Sequence, residues 1–484
     1  MQIPILVEKD SRDSLQGQVV SQFRTLIDCN LLVGGSRVPS SRELSEQLGV
    51  ARRTIMLAYE TLISEGYLKT RQGSATYVAT LPPQKTMRVG GAPAASVHPD
   101  AHKPDDFGCL NNPNLYIPAL QRPPLDFAIG RPDHRLFPIK VWQRLLLESM
   151  SSYSRAVNDY PDPQGSYELR LVLSDHLRVA RGIDCTADEI MIVAGVQDGL
   201  ILVSHLLGSR NGSVVVEDPC YNGAAAAFEM FNMDIRPAPV DREGIVLGEW
   251  PKSKLVYVTP SHQFPTGVTL SLPRRKGLLA WAEASDAYVL EDDYDNDFRY
   301  ESSPLFALKA LDTRHRVIYL GTFSKSIGPG LRIGYAVFPK HLAMAARDLK
   351  ANLSNGLPVL EQMVLRQFIS SGAFERHLVH MRRRYLSRRD TLVSALTAAF
   401  PKTRTSGTEG GMHLIWSIDA LGISAVDLAK ECRKVGVGLH PIAQTQFCKT
   451  FAARTSEDLM LGYTCLNETQ ILDAVSRIAQ IVKK

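Results

Sequence analysis

The chain has 484 residues, of which 44% are hydrophobic and 22% charged, which excludes a disordered protein and implies more than one domain. The net charge of +5 is too small for this length to indicate a class of partner. The apolar runs are far shorter than a membrane span, the start lacks the regions of a signal peptide, and the seven cysteines include no Cys-x-x-Cys pair. We therefore expect a cytoplasmic protein with reduced thiols.

The N-terminal residues carry the pattern of a helix-turn-helix followed by a wing. A first helix is predicted over residues 14–27, whose large apolar side chains fall on one stripe. A short helix that stops at Gly49 precedes another over residues 51–64, and two short helices joined by a tight turn form a helix-turn-helix. Residues 66–78 are predicted to form two strands around a Gln-Gly turn.

Basic residues at the start of the second short helix point to DNA binding. Arg52, Arg53 and Thr54 lie where the side chains of a recognition helix reach base edges and phosphates. The alternative is a small structural domain with solvated charges, since residues 1–80 are nearly charge-balanced. The segments Pro-Ser-Ser-Arg-Glu-Leu, Gly-Val-x-Arg, Ala-Tyr-Glu-x-Leu and Glu-Gly-Tyr-Leu resemble the DNA-binding domain of the GntR family of bacterial regulators. The resemblance favours DNA binding and implies DNA contacts by Arg42, Arg52, Arg71 and Gly73.

A proline-rich stretch separates this region from the rest of the chain. Residues 81–123 contain eight prolines and short polar pieces, a composition typical of a linker. As a coil its ends would lie roughly 35 to 40 Å apart, enough for the DNA-binding domain to pack against another subunit. We therefore expect a DNA-binding domain over residues 1–80, a linker over 81–123 and a second domain over 124–484.

Short apolar strands alternate with helical stretches through the second domain. Strands are predicted at residues 214–216, 255–258, 288–290 and 317–320, with a helix over 273–284 between two of them. Such alternation predicts a mainly parallel sheet covered by helices, with ligands at the carboxyl ends of the strands.

The last of these strands leads into a loop whose residues suit a phosphate-bearing aldehyde. Lys325 is accompanied by the hydroxyls of Thr322 and Ser324, and Arg332 follows a Pro-Gly turn. The lysine can form a Schiff base while the hydroxyls and the guanidinium hold a phosphate. The alternative is a solvated surface lysine. The first interpretation is favoured because Ser-Lys-x-x-x-Pro-Gly-x-Arg-x-Gly resembles the cofactor-lysine signature of fold-type I pyridoxal 5'-phosphate (PLP) enzymes, the aminotransferase class.

Together with the N-terminal pattern, this signature makes the chain resemble the MocR/GabR subgroup of the GntR family. Those proteins join a winged helix-turn-helix to an aminotransferase-like domain. The resemblance implies an α/β, fold-type I domain with a mainly parallel sheet, surrounding helices and a small C-terminal α+β subdomain. It also implies PLP as the cofactor.

Other residues at the strand ends acquire roles through this resemblance. The glycine turn before Val196 and Gln197 opens a helix, which suits a phosphate but is also compatible with an ordinary tight turn. The resemblance implies that Val196 and Gln197 cup the PLP phosphate. It also implies that Tyr221 stacks on the pyridine ring, where the alternative is a tyrosine that packs a loop.

The acidic run at residues 291–297 has three interpretations. A calcium loop fails, because Pro304 stands where the last ligand belongs, but a solvated acidic loop remains open. The resemblance favours a cofactor contact, in which Asp292 pairs with the pyridine nitrogen, with Asp293 as the alternative. It further implies that Tyr294 donates a hydrogen bond to the ring oxygen, and no metal site is expected.

Three features bear on how far the resemblance extends. Phe264 stands where aminotransferases carry an asparagine that donates a hydrogen bond to the ring oxygen. In this chain that hydrogen bond is either lost or supplied by His262 or Gln263. The strand at residues 459–464 lacks their carboxylate-binding arginine, so the effector is anchored differently or is not an ordinary α-amino acid. The segment that begins at Tyr160 resembles one that enters the phosphate site of a neighbouring subunit, which implies a homodimer.

The sequence therefore predicts a PLP-dependent transcriptional regulator, in which an amine- or amino-acid-like effector, or PLP itself, is sensed through Lys325 and alters the binding of operator DNA. The alternative is a PLP-dependent aminotransferase with an accessory DNA-binding domain, in which Lys325 is also the general base. A cofactor-free dimerisation scaffold is disfavoured, because nearly every expected cofactor contact has a candidate residue.

Overall fold

The computed structural model describes most of the chain outside the predicted linker. The described residues are 3–8, 13–29, 31–70, 75–79, 122–208, 212–250, 253–300, 306–445, 447 and 457–483. Contacts divide the chain into two units, residues 1–103 and 104–484. None of the helices in the described ranges has both the length and the hydrophobicity needed to cross a membrane.

The N-terminal unit is a three-helix domain with a short hairpin. It contains α1 (Leu15–Asp28), α2 (Ser41–Leu48), α3 (Arg52–Ser64), β1 (Leu68–Thr70) and β2 (Thr76–Val78). Ser40 and Glu43 form a capping box that starts α2, and Gly49, in the left-handed region, ends it. The two strands pair antiparallel. The predicted winged helix-turn-helix is therefore confirmed.

The second unit begins with elements that alternate between strand and helix. In chain order these are β3 (Leu125–Asp126), α4 (Ile139–Ala156), α5 (Tyr167–Arg181), β4 (Ile190–Val193), α6 (Val196–Leu207), β5 (Ser213–Asp218), α7 (Asn222–Met230), β6 (Asp234–Asp241), β7 (Gly244–Ile245), β8 (Leu255–Val258), α8 (Leu272–Ala284), β9 (Tyr288–Asp292), β10 (Val317–Thr322), β11 (Gly334–Val337), α9 (Lys340–Ser354) and α10 (Val359–Ser370).

Its remaining elements are α11 (Ala373–Ala399), β12 (Arg404–Ser406), β13 (His413–Ser417), α12 (Ala425–Lys434), β14 (Val437–Gly438), β15 (His440–Pro441), α13 (Ile442–Thr445), β16 (Asp458–Gly462) and α14 (Glu468–Val482). Strands β12, β13, β16 and β15 form an antiparallel sheet. This sheet packs with α11, α12 and α14 around a core that includes Trp416. The predicted C-terminal α+β subdomain is thus present.

The large sheet has the order β4-β11-β10-β9-β8-β5-β6-β7. Strands β10, β9, β8, β5 and β6 are parallel neighbours, whereas β11 is antiparallel to both β10 and β4. The strands from β4 to β5 in this order are buried almost throughout, as expected for a parallel sheet with helices on both faces, whereas β6 near the edge is largely exposed. The predicted, mainly parallel α/β fold is confirmed, and its four predicted strands correspond to β5, β8, β9 and β10.

Candidate functional site

Lys325 follows β10 and is held partly buried beside the start of the second unit. Its ammonium nitrogen donates a hydrogen bond to the carbonyl of Gly130 at 2.9 Å. Gly130 has a φ of +63°, which favours glycine, and a Cβ there would lie 2.5 Å from that nitrogen, so any side chain at this position would displace the lysine. Burial lowers the pKa of Lys325, although the charges of Asp295 and Asp292 oppose this effect. A larger fraction of Lys325 is therefore a neutral, nucleophilic amine than in a surface lysine.

Asp292 ends the strand next to that of the lysine and is buried. One carboxylate oxygen accepts a hydrogen bond from the Tyr257 hydroxyl at 2.9 Å, but the other has no partner within the described residues. Burial raises the pKa of Asp292 to about 7. Asp293, the predicted alternative, is already paired with Arg181 and accepts from Tyr319 at 2.7 Å. Each of the two carboxylates keeps one buried oxygen without a partner among the described residues, but Arg181 already neutralises the charge of Asp293. The structure therefore favours Asp292 over its neighbour for a contact with a pyridinium N–H.

The start of α6 and the loop after β10 bring phosphate-type donors together. Gly195 precedes the helix with a φ of +96°, and a Cβ there would lie 3.4 Å from the guanidinium of Arg332. Arg332 has no ion-pair partner in the described part of the chain. Gln197 donates to the Gly223 carbonyl at 2.9 Å, and its own side-chain oxygen has no partner among the described residues. The hydroxyl of Thr322 accepts from the backbone N–H of Ser324 at 3.1 Å. A helix N-terminus beside a free guanidinium suits a phosphate.

Aromatic side chains line the space between Asp292 and Arg332. The Tyr221 ring packs edge-on against Phe264 at 6.0 Å, and Phe264 packs against Tyr294 at 5.6 Å. Burial raises the pKa of Tyr221 to about 12, with Asp292 raising it further and Arg332 opposing. Tyr221 therefore lies within reach of both charges, a position consistent with stacking on a ring held between them.

His262 belongs to a buried cluster that the sequence does not reveal. Its Nδ1 lies 2.9 Å from the Tyr294 hydroxyl and 2.9 Å from a carboxylate oxygen of Asp295. His413 is nearby and donates to the carbonyl of Pro265 at 3.0 Å. Ligand-type atoms of His262, Asp295 and His413 lie within 4.8 Å of one another. Each of the three side chains takes part in a hydrogen bond, although Nε2 of His262 and Nδ1 of His413 have no partner among the described residues, and we interpret them as a polar network around Tyr294.

Gln263 turns away from this network. Its amide group donates to Glu217 at 3.3 Å and to the carbonyl of Pro219 at 2.8 Å, and its oxygen accepts from the Thr266 hydroxyl at 2.6 Å. Of the two candidates for the asparagine's bond, only His262 therefore contacts the tyrosine predicted at the ring oxygen.

Two further predictions fall outside the cluster around Lys325. Tyr160 follows α4 with its side chain 88% exposed, and within this single chain it lines a surface groove with Asn355 and Gly356. Strand β16 carries Met460, which is buried against Ile415, with Phe264 partly buried beside them. The strand is thus apolar where the sequence lacks an arginine, and Arg454 lies outside the described residues.

The residues predicted to contact DNA lie on the first turns of α2 and α3. Arg52 and Arg53 are exposed, and Thr54 is half-buried. Arg52 donates to Ser41 at 3.3 Å, and Arg42 pairs with Glu46 across one helical turn. No described side chain caps α3, so its N–H groups are free to meet a phosphate. Arg71 and Gly73 lie outside the described residues.

Sequence reasoning missed three residues that shape this site, namely Gly130, Tyr257 and Asp295. Gly130 stands 195 residues from Lys325 along the chain, so no local pattern connects them. Tyr257 is a polar-tipped residue in an apolar strand, and a buried tyrosine usually has a hydrogen-bond partner. For Tyr257 this general rule was the only signal in the sequence, and it does not identify the hydrogen-bond partner.

The chain matches known families over both units. Residues 122–478 match the family described as "Aminotransferase class I and II", and residues 15–78 match "Bacterial regulatory proteins, gntR family". A crystal structure of a kynurenine aminotransferase from Pyrococcus horikoshii in complex with PMP superposes with a TM-score of 0.68 and 31% identity, covering 74% of this chain and 90% of the other. The predicted fold-type I class is confirmed, and the match supports PLP as the cofactor.

Full-length relatives combine both units. The chain is 31% identical over 482 residues to an uncharacterised HTH-type transcriptional regulator, YhdI, of Bacillus subtilis, covering 99% of this chain and 98% of the relative. It is 30% identical over 485 residues to the probable rhizopine catabolism regulatory protein MocR of Rhizobium meliloti, covering 98% and 95%. The chain therefore belongs to the MocR-type group of GntR-family transcriptional regulators, which join a GntR DNA-binding domain to an aminotransferase class I and II domain.

Proposed function

We propose that this regulator binds an amine- or amino-acid-like effector in its PLP-binding domain and thereby changes its binding to operator DNA. The observation that carries the proposal is the pairing of Lys325 with Asp292. A partly buried amine and a buried carboxylate with one unpaired oxygen follow adjacent parallel strands, close enough for the carboxylate charge to act on the amine. In such a pair the amine suits the aldehyde end of PLP and the carboxylate suits the pyridine nitrogen.

Bound PLP supplies an aldehyde that condenses with amines and a ring that withdraws electrons. We assign Lys325 to the aldehyde carbon, since its lowered pKa favours the neutral amine. Asp292 is assigned to the pyridine nitrogen, where its unpaired oxygen would accept the N–H. Tyr221 is assigned to the face of the ring and Tyr294 to the ring oxygen.

We assign the phosphate to the N-terminus of α6 and its surroundings. Backbone N–H groups at the start of a helix favour an anion, and the unpartnered guanidinium beside Gly195 adds charge. The residues assigned to this contact are Val196, Gln197, Thr322, Ser324 and Arg332.

His262 is proposed to act on the ring oxygen through Tyr294 and not directly. Its Nδ1 contacts both the Tyr294 hydroxyl and Asp295, so it can orient the hydroxyl proton toward the ring. Burial and the neighbouring Asp295 raise the pKa of Tyr294 well above its usual value, which keeps the hydroxyl protonated as a donor.

A homodimer is proposed, in which Tyr160 reaches the phosphate of the partner subunit. Support comes from the 88% exposure of Tyr160 and from the exposed apolar residues Ile139, Leu147 and Val157 on and just after α4. The GntR domain implies DNA binding, and we assign base and phosphate contacts to Arg42, Arg52, Arg53 and Thr54, with Arg71 and Gly73 on the wing. As a DNA-binding regulator the protein is proposed to act in the cytoplasm.

The test is a titration of the PLP-loaded protein with a panel of amines and amino acids, followed by absorbance and by DNA binding. We expect at least one compound to change the visible absorbance of the cofactor and to change DNA affinity over the same concentration range. If compounds of the panel altered the spectrum and none of them changed the DNA affinity, effector control would be contradicted.

Aminotransfer is the second candidate, favoured by the lowered pKa of Lys325, which suits a general base. Mass spectrometry of the same titrations separates the two. Keto acid formed over many turnovers would establish an enzyme, whereas a spectral change without product supports a sensor.

A further inference from the structure

Arg131 carries a partly buried positive charge that no described residue neutralises. Its guanidinium forms no hydrogen bond and no ion pair within the described ranges. Burial lowers the pKa of Arg131, and the positive charge of Arg122 lowers it further. The carboxylate that acts on Arg131 is that of Asp126, which already accepts a hydrogen bond from His440 at 2.8 Å. Five donors held partly out of water without an acceptor are costly, so this arginine suits an anion that is not part of the chain.

The backbone holds Arg131 in one place. Its carbonyl accepts hydrogen bonds from the Thr464 hydroxyl and from the Cys465 thiol, the latter at 3.3 Å. Two residues on, the buried Asp133 pairs with Arg388 at 2.7 Å. With the backbone fixed in this way, a ligand that binds the guanidinium has only the side chain of Arg131 to order.

The position of Arg131 links it to the predicted Schiff-base lysine. Gly130, the residue before it, accepts the hydrogen bond from the Lys325 ammonium, and the charge of Arg131 lowers the pKa of Lys325. A ligand amine that exchanges at Lys325 therefore comes within the field of this guanidinium. The phosphate donors form a separate group around Gly195, where Arg332 already provides a guanidinium.

The wall formed by β16 offers no competing anchor among the described residues. Met460 packs with Ile415 and Ile442, and Ile129 and Phe264 lie against them. An apolar wall cannot bind a carboxylate, so the charge of a carboxylate-bearing ligand has to be met from another side of the site.

We propose that Arg131 binds the carboxylate of the effector, and that the effector is accordingly an amino acid and not a simple amine. A guanidinium presents paired N–H donors that match the two oxygens of a carboxylate. This inference deepens the proposed function and rests on it for the amine contact at Lys325. It assigns specificity to a residue in the N-terminal segment of the domain.

The first experiment compares matched ligand pairs on the PLP-loaded protein. Straight-chain α- and ω-amino acids are each titrated beside the amine of the same carbon skeleton without the carboxylate, with the visible absorbance as readout. We expect Arg131→Gln to weaken amino acids at least about tenfold and amines by less than about twofold. Arg131→Lys should recover part of the affinity, and the exposed Arg178→Gln serves as the control. Wild-type protein that bound amines as tightly as amino acids, or equal losses for both classes in Arg131→Gln, would refute the inference. Loss of PLP itself from Arg131→Gln would reassign the residue to the phosphate and refute it too.

The second experiment separates Arg131 from the amine chemistry. Carboxylic acids that lack an amino group cannot react with an aldehyde, so calorimetry of their binding to the Lys325→Ala variant measures the carboxylate contact alone. We expect these acids to bind to the Lys325→Ala variant and not to the Lys325→Ala, Arg131→Gln double variant. Unchanged thermal unfolding of the double variant is the control for folding. That result would support carboxylate binding by Arg131 even if amines left the spectrum unchanged. In that case only the proposed sensing of amines would be contradicted. Binding that persists in the double variant, or is absent from both variants, contradicts the role of Arg131.

Discussion

Replacing Asp292 by asparagine should stabilise the PLP-free protein at neutral to basic pH while it removes the carboxylate that we assign to the pyridine nitrogen of the cofactor. The folded protein raises the pKa of this buried carboxyl to about 7, against 3.8 in an exposed aspartate. That difference corresponds to an upper bound of about 4 kcal/mol. Because the folded state keeps a proton that the unfolded chain releases, stability falls as the pH rises from about 4 to about 7. The neutral amide of the variant would carry no charge and no such cost.

The magnitude can be isolated by comparing two pH values. Between pH 5.5 and pH 8 the advantage of Asp292→Asn over the wild type should grow by about 2 kcal/mol, the part of the titration that lies above pH 5.5. Buried acids that Asp292 does not influence titrate alike in both proteins and cancel in the difference, whereas Glu217 loses the part of its raised pKa that the Asp292 charge causes. All four tryptophans lie in the second domain, so urea unfolding followed by tryptophan fluorescence reports on that domain.

Asp293→Asn is the matched control. Its carboxylate is paired with the buried Arg181, so this substitution leaves an uncompensated charge and should destabilise the domain by about 3 to 5 kcal/mol. The reasoning is refuted if Asp292→Asn is less stable than the wild type at pH 8, or if its advantage is the same at both pH values. PLP affinity should fall for Asp292→Asn because a neutral amide cannot hold the pyridinium charge.

Three other substitutions test the remaining assignments. Lys325→Ala should abolish the visible absorbance that arises from covalent attachment of the cofactor, and an unchanged spectrum would remove the Schiff-base assignment. Arg52→Ala should weaken DNA binding and reduce the salt dependence of the affinity by about one unit of slope. The control is Arg24→Ala in α1, whose arginine pairs with Glu65, and equal effects of the two substitutions would argue against a recognition role for α3. Gly130→Ala places a methyl group 2.5 Å from the Lys325 nitrogen at a φ of +63°, so we expect a loss of about 1 to 2 kcal/mol in stability and slower reaction with amines. Normal stability and rate in that variant would show that the loop adapts.

The strands and the loop that carries Lys325 could be predicted because their signals are local. Short apolar runs place β5, β8, β9 and β10 correctly, and the lysine signature directly follows the last of them. The direction of β11 could not be predicted in this way. A short apolar run has the same composition in either direction, and its antiparallel insertion between β10 and β4 depends on the path of the chain between them.

The partners of the site residues are the least predictable part. The sequence left His262 and Gln263 as equal candidates, and only the fold shows that Glu217 and Pro219 engage the glutamine. The choice of Asp292 over Asp293 depends on Arg181, which comes from α5, more than a hundred residues earlier in the chain. The predicted domain boundaries stay predictions, since residues 80–121 lie outside the described ranges.

The short pairing of β3 with β14 ties the start of the second domain to its C-terminal subdomain. The same segment is also held there by the bond from Thr464 to Arg131 and by the pair between Asp133 and Arg388. Residues 125–133 are therefore mechanically part of the C-terminal subdomain, although the chain enters the domain through them. Any rotation of that subdomain on ligand binding would therefore carry residues 125–133 with it, so the point at which the chain enters the second domain would move with the subdomain and not with the large sheet.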